Sequence, residues 1–231
     1  MNLTHDSTIC QEESDFFLPV GTDYQARYDS DVERIDFEEQ RCGSCKSKAS
    51  FIPHSTYMRT VIGSKEEQDS PPQIKVKVFK CTCSTCEQRF HALLPEWICP
   101  FLPYTYPYIL EVLHYYFNEA DQKILRTAHA FDMSPKTIRR FLALLEKDQI
   151  PMRQTKSFQE SEFDIKNLLA RLHVKKQLFW SFLSEFLQAA GHTFFAVKLQ
   201  YTHNGSTFPY IFCSMEQNQI ICLFLQPSPF S

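Results

Sequence analysis

The chain has 231 residues, 43% of them hydrophobic and 22% charged, which excludes a wholly disordered or fibrous polymer and allows one large domain or two to three small ones. Its net charge of -3 hides an asymmetry: residues 1–40 hold 11 acids against 2 arginines, whereas residues 41–231 hold 22 basic against 16 acidic side chains. No basic start followed by an apolar run opens the sequence, and no stretch approaches the roughly 20 apolar residues that cross a bilayer, so a cytoplasmic protein with no membrane partner is expected. In that compartment thiols stay reduced, and 9 cysteines point to metal more than to disulfides.

Residues 1–40 read as an acidic, partly disordered N-terminal segment, with Phe16, Phe17 and Leu18 as a short apolar patch. A sharper idea is that this segment competes with nucleic acid for a basic helix further on. Residues 41–94 carry two C-x-x-C pairs, Cys42 with Cys45 and Cys83 with Cys86. Two residues between thiols let both sulfurs of a tight turn face one ion, and a second such turn completes a tetrahedron of thiolates. Four soft sulfurs in a closed site suit structural zinc and leave no open position for chemistry. Cys81 is an alternative to Cys83 as ligand and reads as a strand residue, with His54 and His91 as further substitutes. Cys10, Cys99, Cys213 and Cys222 carry no motif and read as buried apolar residues.

Between the pairs, Thr56–Ile62 and the alternating Gln73–Phe79 are predicted strands, separated by a polar loop, Gly63–Pro72. Turn, strand, loop, strand, turn describes a zinc ribbon, in which the metal holds a sheet too small to bury a core of its own. Residues 95–107 interleave Pro95, Pro100, Pro103 and Pro107 with Trp97, Phe101, Tyr104 and Tyr106. That density suits a stiff connector whose aromatic anchors pack between two modules, in preference to a stacking surface for single strands.

Residues 108–149 read as three helices. Tyr108–Asn118 has Ile109, Val112, Leu113 and Tyr116 along one side; Ile124, Leu125 and Ala128 mark a shorter helix; a tight turn at Asp132–Met133 comes next. Ser134 and Pro135 then start a third helix, a side-chain cap and then a residue whose missing N–H costs nothing there. Ile138, Phe141, Leu142 and Leu145 form its apolar face, and Lys136, Thr137, Arg139 and Arg140 the other. Small Ala128, a turn, a capped start and a basic outward face are the pattern of a helix-turn-helix whose last helix enters the major groove. Ser134, Lys136, Thr137, Arg139 and Arg140 are the candidate contacts to double-stranded DNA. Two amphipathic helices with a solvated basic face would look similar, and the combination of features is what favours DNA.

Residues 150–231 read as a C-terminal extension: a break at Pro151, helices over Phe163–Leu172 and Lys176–Ala190, a stop at Gly191, and strands over His192–Tyr201 and Pro209–Phe224 around a turn at Asn204 and Gly205. Its role is open; a two-fold symmetric target would require a homodimer, and this segment is the candidate dimerisation unit. The expected class is therefore α+β: a small zinc-ribbon β module, a three-helix helix-turn-helix module and a C-terminal α+β extension.

From Arg41 to Leu145 the chain resembles an uncharacterised bacterial family associated with insertion-sequence transposases. That family shows a C-x-x-C-G-S knuckle, a C-P-x-C-G-x-x-F knuckle, an L-L-P-x-x-x-P segment and a helix-turn-helix. The matching residues are Cys42–Cys45, Cys83–Cys86 with Phe90, Leu93-Leu94-Pro95 with Pro100, and Ile124–Leu145. Lys46 and Glu87 stand where the family has glycine after each knuckle. The resemblance implies a mobile-element DNA-binding protein, nucleoid-associated, with a transposase as a partner. Transposase chemistry needs three carboxylates holding two metal ions. The acids after the helix-turn-helix, Glu160, Glu162, Asp164, Glu185 and Glu216, do not end apolar strands, and too little chain remains for a nuclease fold. No phosphate loop, serine–histidine pair or H-E-x-x-H is present either. The expectation is a non-catalytic protein. A truncated or split transposase and a protein-protein interaction module are the alternatives.

Overall fold

The structure, a computed structural model, describes residues 21–35, 37–38, 47–84, 89–95, 97–99, 102–174, 176–190, 210–214 and 219–222. It is α+β. Cys10, Cys42, Cys45, Cys86, the strand expected over His192–Tyr201 and the Asn204-Gly205 turn lie outside the described residues.

The sheet starts with β1 (Ala49–Thr60), β2 (Gln73–Cys83) and β3 (Arg89–Pro95), joined antiparallel in that order. Strand β1 begins and ends earlier than the expected Thr56–Ile62, and β2 runs on past Phe79. The alternation of β2 buries Ile74 and Val76, then changes phase to bury Phe79 and Cys81. The change lies beside a register slip in β1, where His54 is the extra residue between Pro53, opposite Phe79, and Ser55, opposite Val78. Arg89–Pro95, for which the sequence reading names no strand, is the third strand of the sheet.

Strand β3 pairs with β2 only over Val78–Cys81 and leaves the Gln73–Lys77 half of β2 with an open edge. A helix that sequence reasoning missed closes it: α1 (Tyr24–Glu33), N-capped by Asp23. The Gln25 side chain accepts from the Lys75 N–H at 2.7 Å, and the Tyr28 hydroxyl accepts from the Lys77 N–H at 2.7 Å while donating to the Leu93 carbonyl at 3.2 Å. Covering an exposed edge removes a row of unpaired backbone groups from solvent. Tyr24, Tyr28 and Val32 bury the inner side of α1 against the sheet. Residues 24–33 are thus an ordered part of the sheet core, not a solvating tail, although they lie within the acidic segment.

The helical part begins with α2 (Tyr106–Asn118), capped by Thr105, then α3 (Ile124–Ala130) and α4 (Pro135–Lys147). Two short helices were not foreseen, α5 (Gln149–Arg153) and α6 (Lys156–Gln159). Pro151 does not break the chain there: it sits in the first turn of α5, where a backbone N–H has no helical partner to lose. Next come α7 (Ile165–Val174) and α8 (Lys176–Ala190), close to the predicted spans. One apolar core holds Ile109 and Leu113 of α2, Ile138 and Phe141 of α4, Leu169 and Leu172 of α7, and Phe179, Phe182 and Phe186 of α8. Each such side chain contributes about 1.5–3 kcal/mol by leaving water. The helices after Lys147, expected to form a separate extension, share this core.

The chain then returns to the sheet. β4 (Tyr210–Ser214) lies parallel to β3, and β5 (Gln219–Cys222) pairs antiparallel with β4. The sheet is therefore five-stranded, in the order β1-β2-β3-β4-β5. No helix among the described residues is long and apolar enough to cross a membrane.

Residues on both sides of the β3–α2 connection anchor the two parts. Trp97 is buried in the sheet core beside Tyr24, with the Arg27 guanidinium over its ring and its indole N–H on Asp31 at 2.8 Å. Leu102 and Tyr106 belong to the helical core. The start of the β1–β2 loop joins in: the Ile62 N–H donates to the Pro103 carbonyl at 2.7 Å, and the Thr105 N–H donates to the Ile62 carbonyl at 2.9 Å. A Cβ at Gly63 would overlap the Tyr24 hydroxyl, so any other residue there would force the Tyr24 side chain to shift. Glu67 ties that point down by accepting from the Gly63 N–H at 2.7 Å and from the Tyr24 hydroxyl at 2.9 Å.

Candidate nucleic-acid interface

The α3–turn–α4 unit is built by local chemistry. Thr127 is buried and ties its hydroxyl to the Lys123 carbonyl at 3.2 Å. Ala128 is buried where the two helices meet. Asp132 takes a left-handed backbone, φ 53°, as a tight turn without glycine requires. The Met133 N–H then closes the turn on the Ala128 carbonyl at 2.9 Å, and its side chain is buried. Ser134 caps α4 by accepting from the Thr137 N–H at 3.1 Å, and Pro135 occupies the first helical position. Leu125, on α3, is 72% exposed.

Helix α4 divides cleanly. Ile138, Phe141 and Leu145 are buried, with the Phe141 ring edge-on to Tyr104 at 5.3 Å, and Leu142 is half-buried. Lys136, Arg139 and Arg140 are exposed and enter no ion pair among the described residues. Thr137 is half-buried, and its hydroxyl lies 2.9 Å from that of Ser134, so both hydroxyls are already engaged in the cap. The cationic side chains stay together on the open face; the two hydroxyl residues hold the helix start.

Of the expected thiolate ligands only Cys83 is described. It is half-buried at the end of β2, paired in register with Ala49. In the sequence Cys45 lies 4 residues before Ala49 and Cys86 lies 3 after Cys83. Cys81 is buried in the sheet core opposite Phe51. Cys99 is buried, as read from the sequence. Among the described residues no group of three or more His, Cys, Asp or Glu is placed to hold a metal.

No family model, curated protein or solved structure matches this chain.

Three of the acids considered for catalysis, Glu160, Asp164 and Glu185, are engaged in helix structure. Glu160 pairs with Lys156 and Arg171, each at 3.5 Å. Asp164 accepts from the Lys166 N–H at 3.1 Å at the start of α7, and Glu185 accepts from the Ser157 N–H at 2.9 Å at the start of α6. Both are acids at positive helix ends. Glu216 lies outside the described residues.

Sequence reasoning did not foresee that the β1–β2 loop reaches this unit. The Gln68 amide donates to the Phe131 carbonyl at 2.6 Å and to the Tyr108 hydroxyl at 3.1 Å, and Lys65 Nζ donates to the Ala130 carbonyl at 3.0 Å. These are the last carbonyls of α3, which have no partner within the helix. A polar loop rich in Glu, Gln and Ser gives no sequence signal of such a target.

Proposed function

We propose that the chain is a zinc-ribbon and helix-turn-helix protein that binds double-stranded DNA, transposase-like or mobile-element-associated, and non-catalytic by itself. The observation that carries this is α4: an apolar face sealed in the core and an open face bearing Lys136, Arg139 and Arg140, with no acidic partner among the described residues. Three cations on one exposed helical face suit phosphates and guanine edges, and the sharp left-handed turn and capped start fix where α4 begins after α3. Structural zinc would be held by Cys42, Cys45, Cys83 and Cys86, and the register of Ala49 with Cys83 supports that set. The mobile-element part rests on the motif resemblance alone.

The test is selection of bound duplexes from a random pool, then gel shifts with a variant in which Lys136, Arg139 and Arg140 are all alanine. Retained affinity in that folded variant would refute the proposal. One observation favours a protein-binding role for the same helix pair, the exposed Leu125 on α3. Salt-independent capture of a protein, lost in Leu125→Ala and unaffected by the triple variant, would decide for it.

A further inference from the structure

A cleft of about 440 Å³ opens between the β1–β2 loop, α2 and the end of α3. Its lining is chemically one-sided. The rings of Tyr108, Tyr115 and Phe131 contribute to it, with Phe131 edge-on to both tyrosines at 5.9 and 5.4 Å. Glu66 and Glu111 bring two carboxylates. Glu111 is half-buried and makes neither a hydrogen bond nor an ion pair among the described residues; burial first, and the charge of Glu66 second, push its carboxyl above the ordinary carboxylate range. Lys65, the one cationic side chain among the described residues of this lining, is directed to the Ala130 carbonyl.

A half-buried carboxylate without a counter-ion is costly, and the remedy is a cation. Aromatic faces add to that preference, because their π clouds attract an ammonium group and their rings accept an alkyl body. The seat of Lys65 on a carbonyl at the end of α3 shows that an ammonium is accommodated at this site. We propose that the cleft binds a small alkyl amine, its ammonium head against Glu111 and Glu66 and its chain on the rings of Tyr108 and Tyr115. Ala130 and Phe131 are the last residue and the C-cap of α3, one step before the turn into α4. On the DNA-binding reading, on which this clause rests, the amine is an effector that shifts the set of α4.

Calorimetric titration of the full chain with n-pentylamine, against the neutral isostere n-pentanol, tests the cleft without any DNA. One saturable site for the amine and none for the alcohol is the expected result. Glu111→Gln, a change of similar shape, weakens the amine about tenfold, the scale of one charged hydrogen bond. Lys65→Met removes the resident cation and strengthens it. No saturable binding, or binding that Glu111→Gln leaves unchanged in a folded protein, overturns the site. Adding the amine to the protein–DNA complex then tests the effector role: a several-fold change in DNA affinity supports it, and an unchanged affinity ends it. Should the chain bind no DNA, the calorimetry still decides the cleft.

Discussion

The side-chain amide of Gln68 holds the backbone carbonyl of Phe131 at 2.6 Å, across 63 residues of sequence. The loop between two strands thereby fastens the end of one helix just before the chain turns into the next. Gln68→Ala removes this bond and the one to the Tyr108 hydroxyl. The Phe131 carbonyl then keeps only the longer bond from the Tyr108 hydroxyl, at 3.5 Å, and losing the shorter donor costs about 1 kcal/mol. The expected outcome is a lower melting temperature and faster hydrogen exchange at the Met133 amide, which closes the same turn. If α4 binds DNA, affinity falls as well, although Gln68 is not on the α4 face.

Arg140→Ala is expected to cost about 1–3 kcal/mol of DNA affinity and to relax preference at one position if Arg140 reads a base. If it meets a phosphate, the loss is uniform across sequences and the salt dependence shallows by about one unit of slope. Binding isotherms at several salt concentrations separate the two. Since the side chain is exposed and enters no ion pair among the described residues, the fold should be unaffected.

Tyr28→Phe deletes one hydroxyl and orphans two backbone groups, the Lys77 N–H at the open edge of β2 and the Leu93 carbonyl. Burial is the main cause that holds this phenol protonated well above its usual range. The substitution should lower stability by about 1–3 kcal/mol in denaturant titrations. It also separates two roles of the acidic segment. Deleting residues 1–40 would remove α1 from the sheet core and destabilise the protein whatever the acids do, so charge-neutral variants outside α1 are the sound test of competition with DNA.

Glu111 gives a pH dependence whose sign can be worked out. Its carboxyl is raised in the folded chain by burial and by Glu66, so the folded state holds its proton more tightly than the unfolded state does. Stability from this group is present at low pH and falls as pH rises from the ordinary carboxylate range, about 4, through the raised value. Glu111→Gln should therefore be more stable than the parent at neutral pH, with the difference vanishing below pH of about 4. Melting temperatures of both proteins across that range check it.

Cys83→Ser and Cys81→Ser should separate cleanly. Cys83 stands at the end of β2 and is the expected ligand, so its replacement should abolish bound zinc, measured as metal per chain. Cys81 lies in the apolar core opposite Phe51, so its replacement should lower stability while the metal is retained.

The α3–turn–α4 unit was legible from the residues because the interactions that form it are short in sequence. Ser134 caps Thr137 three positions on, Asp132 supplies its own left-handed turn, and Ile138, Phe141 and Leu145 repeat with the helical period. The alternation of β2 was legible for the same reason. Helix α1 was not, because Tyr24, Tyr28 and Val32 are sparse among acids, and the helix is held by an edge of β2 some 50 residues away. The exposure of Leu125 was not legible, because an apolar residue at helical spacing does not say whether anything lies opposite it.

Local periodicity thus determined β2, the helices α2, α3, α4, α7 and α8, and which face of α4 is basic. Only the tertiary structure decided that β3 and the C-terminal strands share one sheet, that α7 and α8 complete the core around α2, and that Gln68 and Lys65 close the end of α3. Those choices depend on backbone groups left open by one element finding donors or acceptors on another, and a period read along the chain does not record which partner is within reach.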